Sequence, residues 1–217
     1  MRKLNRRDLI LGSAALAGLA AIGGIYHYFG KTADVEGTNG DVTDLNKAPA
    51  IGEMSMGPED AKVVLIEYAS ASCPHCAAFY NETFGALKSE YIDTNKIRFV
   101  FREFPHNDAA LAAFMLARSV PQDAYFPMID VFFKTQDAWV PNPSEGLFNI
   151  AKQAGFTRET FDKTITDKAL AKSILDVRDT AETFGVKGVP TFFLNGEMLN
   201  GELKIENLRA KIDPLLS

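Results

Sequence analysis

The chain has 217 residues, 47% of them apolar and 24% charged, an ordinary globular composition that can bury a core without disulfide staples. The formal net charge is −5. Clustered Lys and Arg occur only within the first seven residues, which excludes nucleic acid as a partner, because phosphate binding needs a basic surface.

Residues 1–30, MRKLNRRDLILGSAALAGLAAIGGIYHYFG, open with Arg2, Lys3, Arg6 and Arg7, and from Leu9 to Gly30 carry no charged residue. This is the layout of an export signal. Arg6-Arg7 followed by Asp8-Leu9-Ile10 resembles a twin-arginine signal, with Asn5 where Ser or Thr is usual; a general secretory signal is the alternative. Residues 9–30 are also long enough to span a bilayer core of ~30 Å, and no clean A-x-A site follows, so a retained membrane anchor stands beside cleavage. On either reading the arginines stay cytoplasmic and the rest of the chain lies outside, in an oxidising compartment.

Residues 31–57 are rich in Gly, Asp, Thr and Asn and read as a flexible linker, with a domain over 58–217. Residues 61–70, AKVVLIEYAS, are an apolar, β-branched run expected to form a buried strand. Phe79, Phe84, Leu87 and Tyr91 then recur near helical spacing. Residues 96–105 alternate Ile97, Phe99 and Phe101 and stop at Pro105, a second strand, which completes a βαβ unit. From about 107 to 185 the pattern is helical. One helix is expected to start around Pro127 and run to Trp139. Ser144 and Thr157 are expected N-caps, and Gly185 a C-terminal cap. Residues 189–201 read as two strands around Asn195-Gly196, and a helix ends the chain. The order predicts a mixed sheet with an all-helical insertion.

The only cysteines, Cys73 and Cys76, enclose Pro74 and His75. C-x-x-C serves as half a zinc site, as a short structural bridge or as a redox dithiol. Zinc needs four ligands, and two cysteines with three histidines, one of them His27 in the signal, supply them poorly. A bridge closing so small a loop constrains the unfolded chain least. The motif's place between a strand end and a helix start favours the dithiol. Cys73 at a helix N-terminus has a lowered pKa, Pro74 suits the first turn, and His75 adds a donor or charge beside the sulfur. Cys73 is then the attackable sulfur and Cys76, one turn inside, the buried one. Each unit by which the Cys73 pKa falls below ambient pH favours the reduced form by about 1.4 kcal/mol, or about 30 mV for a two-electron couple.

Two further residues carry alternatives. Glu67 is either a solvent-facing edge-strand residue or a buried carboxyl of raised pKa that relays protons near Cys76. Pro190 either marks a strand boundary or forms a cis peptide that leaves the Val189 backbone free to pair with a client peptide.

In order along the chain, LIEYASASCPHC, REFP and GVKGVPTFFLNG resemble the DsbA-like branch of the thioredoxin superfamily, over about 57–217. The resemblance implies a thioredoxin-like α/β (α+β) fold, with a helical insertion at about 107–185 between the βαβ half bearing the cysteines and the hairpin half bearing a cis proline. It implies a redox-active Cys73–Cys76 disulfide with Cys73 as nucleophile, tuned by His75. Glu67 would aid proton transfer and Val189-Pro190 would contact clients. It implies a thiol:disulfide oxidoreductase without cofactor or metal, acting in the periplasm as an oxidase of thiol-containing exported proteins and reoxidised by a quinone-linked membrane protein. A reductase or isomerase is the rival within this class, and a non-catalytic chaperone or binding module the rival outside it. The segment 31–58 shows no dimerisation pattern, so a monomer is expected.

Overall fold

The computed structural model describes residues 45–199 and 203–217; the expected signal or anchor at 1–30 and most of the expected linker lie outside them. Five strands form one sheet in the order β1-β3-β2-β4-β5: β1 Met54–Met56, β2 Val64–Ala69, β3 Arg98–Glu103, β4 Thr191–Leu194 and β5 Glu197–Leu199. β2 and β3 run parallel, with Ala69 opposite Glu103, as a βαβ connection dictates. The β1–β3, β2–β4 and β4–β5 pairs are antiparallel. Because β2 is central and covered on both faces, it reads as a continuous apolar run rather than an alternating one. Leu65, Glu67 and Ala69 face one side, toward the larger core, while Ile66 and Tyr68 join Val100, Val177 and Phe193 on the other.

The connection between β2 and β3 begins as helix α1 (Pro74–Phe79), passes through a π-helical turn at Tyr80–Phe84, the short α2 (Gly85–Leu87) and a second π turn at Lys88–Ile92. The five-residue gap from Phe79 to Phe84 matches that widening. The insertion comprises α3 (Asp108–Arg118), α4 (Gln122–Lys134), α5 (Gln136–Trp139), α6 (Pro143–Gln153), α7 (Arg158–Ile165) and α8 (Lys168–Thr183). The final helix α9 spans Ile205–Leu216. Among the described residues no helix is long and apolar enough to cross a membrane.

Several expectations need correction. The fold begins before residue 58: β1 pairs with β3, Leu45 is fully buried, and the Arg102 guanidinium binds Glu53 and the Lys47 carbonyl. A three-residue edge strand is too short to leave a periodic signal, and its partners are distant in sequence. Gly57, with φ +86°, turns the chain out of β1 where a Cβ would collide with the Ile97 carbonyl. Helix α4 starts at Gln122, not at Pro127, which lies inside it. Its first turn carries Tyr125, whose hydroxyl donates to buried Glu103 at 2.6 Å, and this anchor draws the helix start ahead of the proline. The helix also stops at Thr135 rather than running on to Trp139. Asn142, not Ser144, is the N-cap of α6, since Pro143 takes the first helical position. Thr157 does cap α7, in a reciprocal capping box with Thr160. Gly185 (φ +85°) ends α8, its N–H on the Glu182 carbonyl and that of Val186 on Ala181, a Schellman arrangement. Asn195 (φ +48°) and Gly196 (φ +88°) form the hairpin turn between β4 and β5.

Candidate active site

Parallel pairing of β2 and β3 brings their C-terminal ends to one sheet edge. Cys73 leaves the end of β2 and His106 the end of β3, so the two loops meet there. Cys73 is the N-cap of α1, in extended conformation (φ −83°, ψ 121°), and Pro74 takes the first helical position. The helix thus presents its free N–H groups to the sulfur. Cys73 and Cys76 are both free thiols.

The two sulfurs have opposite chemistry. The Cys73 thiolate accepts a hydrogen bond from the Cys76 thiol and is further held by the backbone N–H groups of Cys76 and His75 and by the charge of His106. These outweigh the burial that opposes ionisation and lower its pKa to about 5. Burial raises the pKa of Cys76, and so do its bond to Cys73 and the charges of Glu67 and Cys73. Cys76 is therefore a thiol at neutral pH, and Cys73 a thiolate. The expected contrast in exposure is smaller than the contrast in charge: Cys73 is only 6% exposed and Cys76 0%. When protonated, Cys73 Sγ donates to the Val189 carbonyl at 3.4 Å. The Val189–Pro190 peptide is cis.

Of the residues marked in the sequence, Cys73, Cys76, Pro74, His75, Val189 and Pro190 converge at this edge. Glu67 lies beneath it, fully buried in central β2, so the solvent-facing edge reading is wrong. Burial raises its pKa well above that of an ordinary carboxyl, and the charge of Cys73 adds to this; the Tyr80 hydroxyl opposes them. His75 is exposed. What it supplies to Cys73 is its backbone N–H, while the imidazole charge comes from His106. Sequence reasoning missed His106, although its place just after β3 in a βαβ unit marks it. His106 Nε2 lies 3.4 Å from Ser72 Oγ, which donates to Asn107 Oδ1 at 3.0 Å; Asn107 in turn caps α3.

Gln136 was also missed. It is buried in α5, and its Nε2 donates to the Ala71 carbonyl at 2.8 Å and the Cys73 carbonyl at 3.1 Å. The Cys73 carbonyl also accepts from the Ala77 N–H, so loss of Gln136 strips the Ala71 carbonyl more severely. Gln136→Ala is expected to lower stability by about 1–3 kcal/mol and to raise the Cys73 pKa by loosening its loop. Urea unfolding and an ultraviolet thiolate titration check the two effects; unchanged values in both would reduce Gln136 to a surface-loop contact.

A groove of about 310 Å³ borders the motif, lined by His75, Phe79, Pro190, Phe192 and Leu203 among others. A larger cavity of about 550 Å³ opens beside Tyr68, Arg102 and Phe184 and is lined by neither cysteine. It lies on the second-core side of the sheet, away from the thiols.

Residues 50–214 match the family model described as Thioredoxin. A protein of Rickettsia bellii, assigned as a protein-disulfide oxidoreductase, is 35% identical over 74% of this chain, which spans 63% of that relative's own length. A protein of Bacillus anthracis, assigned as disulfide bond formation protein D, is 28% identical over 74% of this chain and 77% of its own. Among solved structures, alpha-DsbA1 of Wolbachia pipientis is similar with a TM-score of 0.74 and 28% identity, covering 81% of this chain and 96% of that one.

Proposed function

The chain belongs to the thioredoxin family, in its DsbA-like branch, and from that premise we propose that it is a protein-disulfide oxidoreductase working as an oxidase of exported proteins. The observation that carries this is the Cys73 thiolate, with a pKa of about 5, beside a buried Cys76 thiol. A stabilised thiolate favours the dithiol over the disulfide, so the disulfide is readily handed to a client.

In the oxidising direction a client thiolate attacks Cys73 Sγ of the disulfide. The Cys73–Cys76 bond breaks, and Cys76 leaves with the electron pair and is reprotonated, with Glu67 as proton donor. A second client thiolate then attacks the client sulfur of the mixed disulfide and releases Cys73 as its stable thiolate. The backbone of Val189 and the groove beside Pro190 hold the client chain. The export-type N-terminus supports a site of action outside the cytoplasm, by a twin-arginine or general secretory route, with cleavage or anchoring by residues 9–30 both open. An oxidase must itself be reoxidised, and a quinone-linked membrane protein is the partner proposed; the protein is taken to act as a monomer.

Equilibration of the full chain with glutathione redox buffers measures the potential of the pair. A value well above the roughly −270 mV of a thioredoxin-like reductant is expected; a value at or below it would sink the oxidase reading. The pH dependence has a definite sign. Because the folded pKa of Cys73 is about 5 against 9.0 for a free thiol, the stabilisation of the reduced form is full above about pH 9 and is lost as pH falls to about 5. The reduced protein should therefore exceed the oxidised one in stability by a margin that shrinks from neutral pH toward pH 5. Parallel denaturation curves across that window would contradict it.

A further inference from the structure

Glu67 is enclosed on every side. Phe101 of β3 and Phe192 of β4 sit opposite it, and its exposure is 0%. Neither of its carboxylate oxygens completes a hydrogen bond, and nor does the buried Tyr80 hydroxyl, although that hydroxyl lies close enough to favour the charged carboxylate. Buried polar groups left unpaired are costly, and two lying near each other among phenylalanine rings call for a functional explanation. The Tyr80 ring is fixed, stacked on Phe133 at 4.2 Å and on Phe84 at 4.4 Å between centroids. A small shift of the Glu67 side chain, together with the Tyr80 O–H torsion, is the freedom that remains to close a hydrogen bond between them.

We infer that Tyr80 is a positioning residue for Glu67, its hydroxyl turning to donate to the carboxylate whenever Glu67 has lost its proton. The inference rests on the exchange reaction proposed above. When a mixed disulfide is resolved, the Cys76 thiol passes its proton to a Glu67 carboxylate oxygen. The Cys76 sulfur bonds to Cys73 Sγ, and the bond from Cys73 to the client sulfur breaks, its electron pair leaving on the client thiolate. Glu67 must be ionised for that step, and burial resists ionisation.

The other ionisable groups around this pair are Cys73 and Cys76 at the start of α1, and Tyr125 and Asp130 on α4; β3 and β4 present phenylalanine. Tyr125 already donates to Glu103, and Asp130 is paired with Lys134 toward solvent. Of these groups, Tyr80 carries the O–H not committed elsewhere. A donor to the charged form lowers a carboxyl pKa, so the Tyr80 hydroxyl counters part of the rise that burial imposes on Glu67.

The test uses the full reduced chain and glutathione disulfide as probe. The Cys73–glutathione adduct forms first, and its decay by attack of Cys76 is followed against pH in single-turnover experiments. Tyr80→Phe keeps the stacked ring and is expected to shift the rising limb of that profile by about one unit to higher pH, with the high-pH plateau unchanged. Superimposed profiles would overturn the inference. A second measurement needs no variant: in the wild-type protein the ¹³C signals of Glu67 Cδ and Tyr80 Cζ should titrate with one shared midpoint, and a Tyr80 signal unmoved as Glu67 titrates overturns it as well. If the wild-type chain neither forms nor resolves the adduct, the exchange reading itself fails, and the shared titration alone then decides whether Tyr80 serves Glu67.

Discussion

Cys73→Ser should abolish disulfide exchange, whereas Cys76→Ser should accumulate mixed disulfides with client or probe. At neutral pH Cys73 is nearly all thiolate and Cys76 nearly all thiol, and only the thiolate is a competent nucleophile. Against an ordinary thiol with a pKa of about 9, a thiol with a pKa of about 5 has a thiolate fraction about 100-fold larger at pH 7, and Cys76, raised above the ordinary value, has less thiolate still. Without Cys73 the buried Cys76 has neither the charge nor the access to begin exchange. Without Cys76 the first bond still forms but nothing inside the protein resolves it. Non-reducing electrophoresis and intact-mass measurement distinguish the two variants. Equal trapping by both would show that the sulfurs share the work, and the assignment of roles would fail.

The largest expected effect on stability lies away from the thiols. Arg118→Ala should destabilise the fold by about 3–5 kcal/mol, because it leaves a buried charge without its ionic partner. Glu103 is fully buried and is gripped by both arms of the Arg118 guanidinium, one contact being 2.8 Å, with the Tyr125 hydroxyl on the same carboxylate. Arg118 also donates to the Gly52 carbonyl, so its removal loosens the chain leading into β1. Urea unfolding measures the loss. Replacing both partners, as Glu103→Gln with Arg118→Met, should recover much of it, since no charge is then stranded. A single-mutant loss below about 1 kcal/mol, the range of exposed ion pairs, would mean that water reaches the site.

The features readable in the sequence are those encoded locally. The apolar run that became β2, the alternation that became β3, the Asn195-Gly196 turn and the Thr157 cap each depend on a few adjacent residues. The two cysteines with Pro74 announce a helix start for the same reason. What was hidden depends on residues far apart meeting. Glu67 could be weighed as buried or exposed, but only the order of strands decides, by placing β2 between β3 and β4. His75 drew attention by sitting between the cysteines, yet its side chain is exposed and the histidine whose charge reaches Cys73 comes from the loop after β3. Gln136 is one polar residue in a helical stretch, and nothing around it in sequence marks its two carbonyl partners. β1 is invisible because three residues at a sheet edge carry no period. Pro127 misled about the start of α4 because a proline preference for first turns yields to the anchoring of Tyr125 two residues earlier.

The grip of Gln136 on the Ala71 and Cys73 carbonyls also bears on how the molecule breathes. The loop that carries the nucleophile belongs to the sheet half by sequence but is held by α5 of the insertion, and through Ser72 and Asn107 by the start of α3 as well. Local opening of either half must release the other's contacts at the same moment. Backbone amides of residues 73–77 should then exchange with deuterium as one cooperative unit with those of α5, rather than fraying as an independent helix end. The surface around Cys73 would thus be as rigid as the interior on which it is sewn.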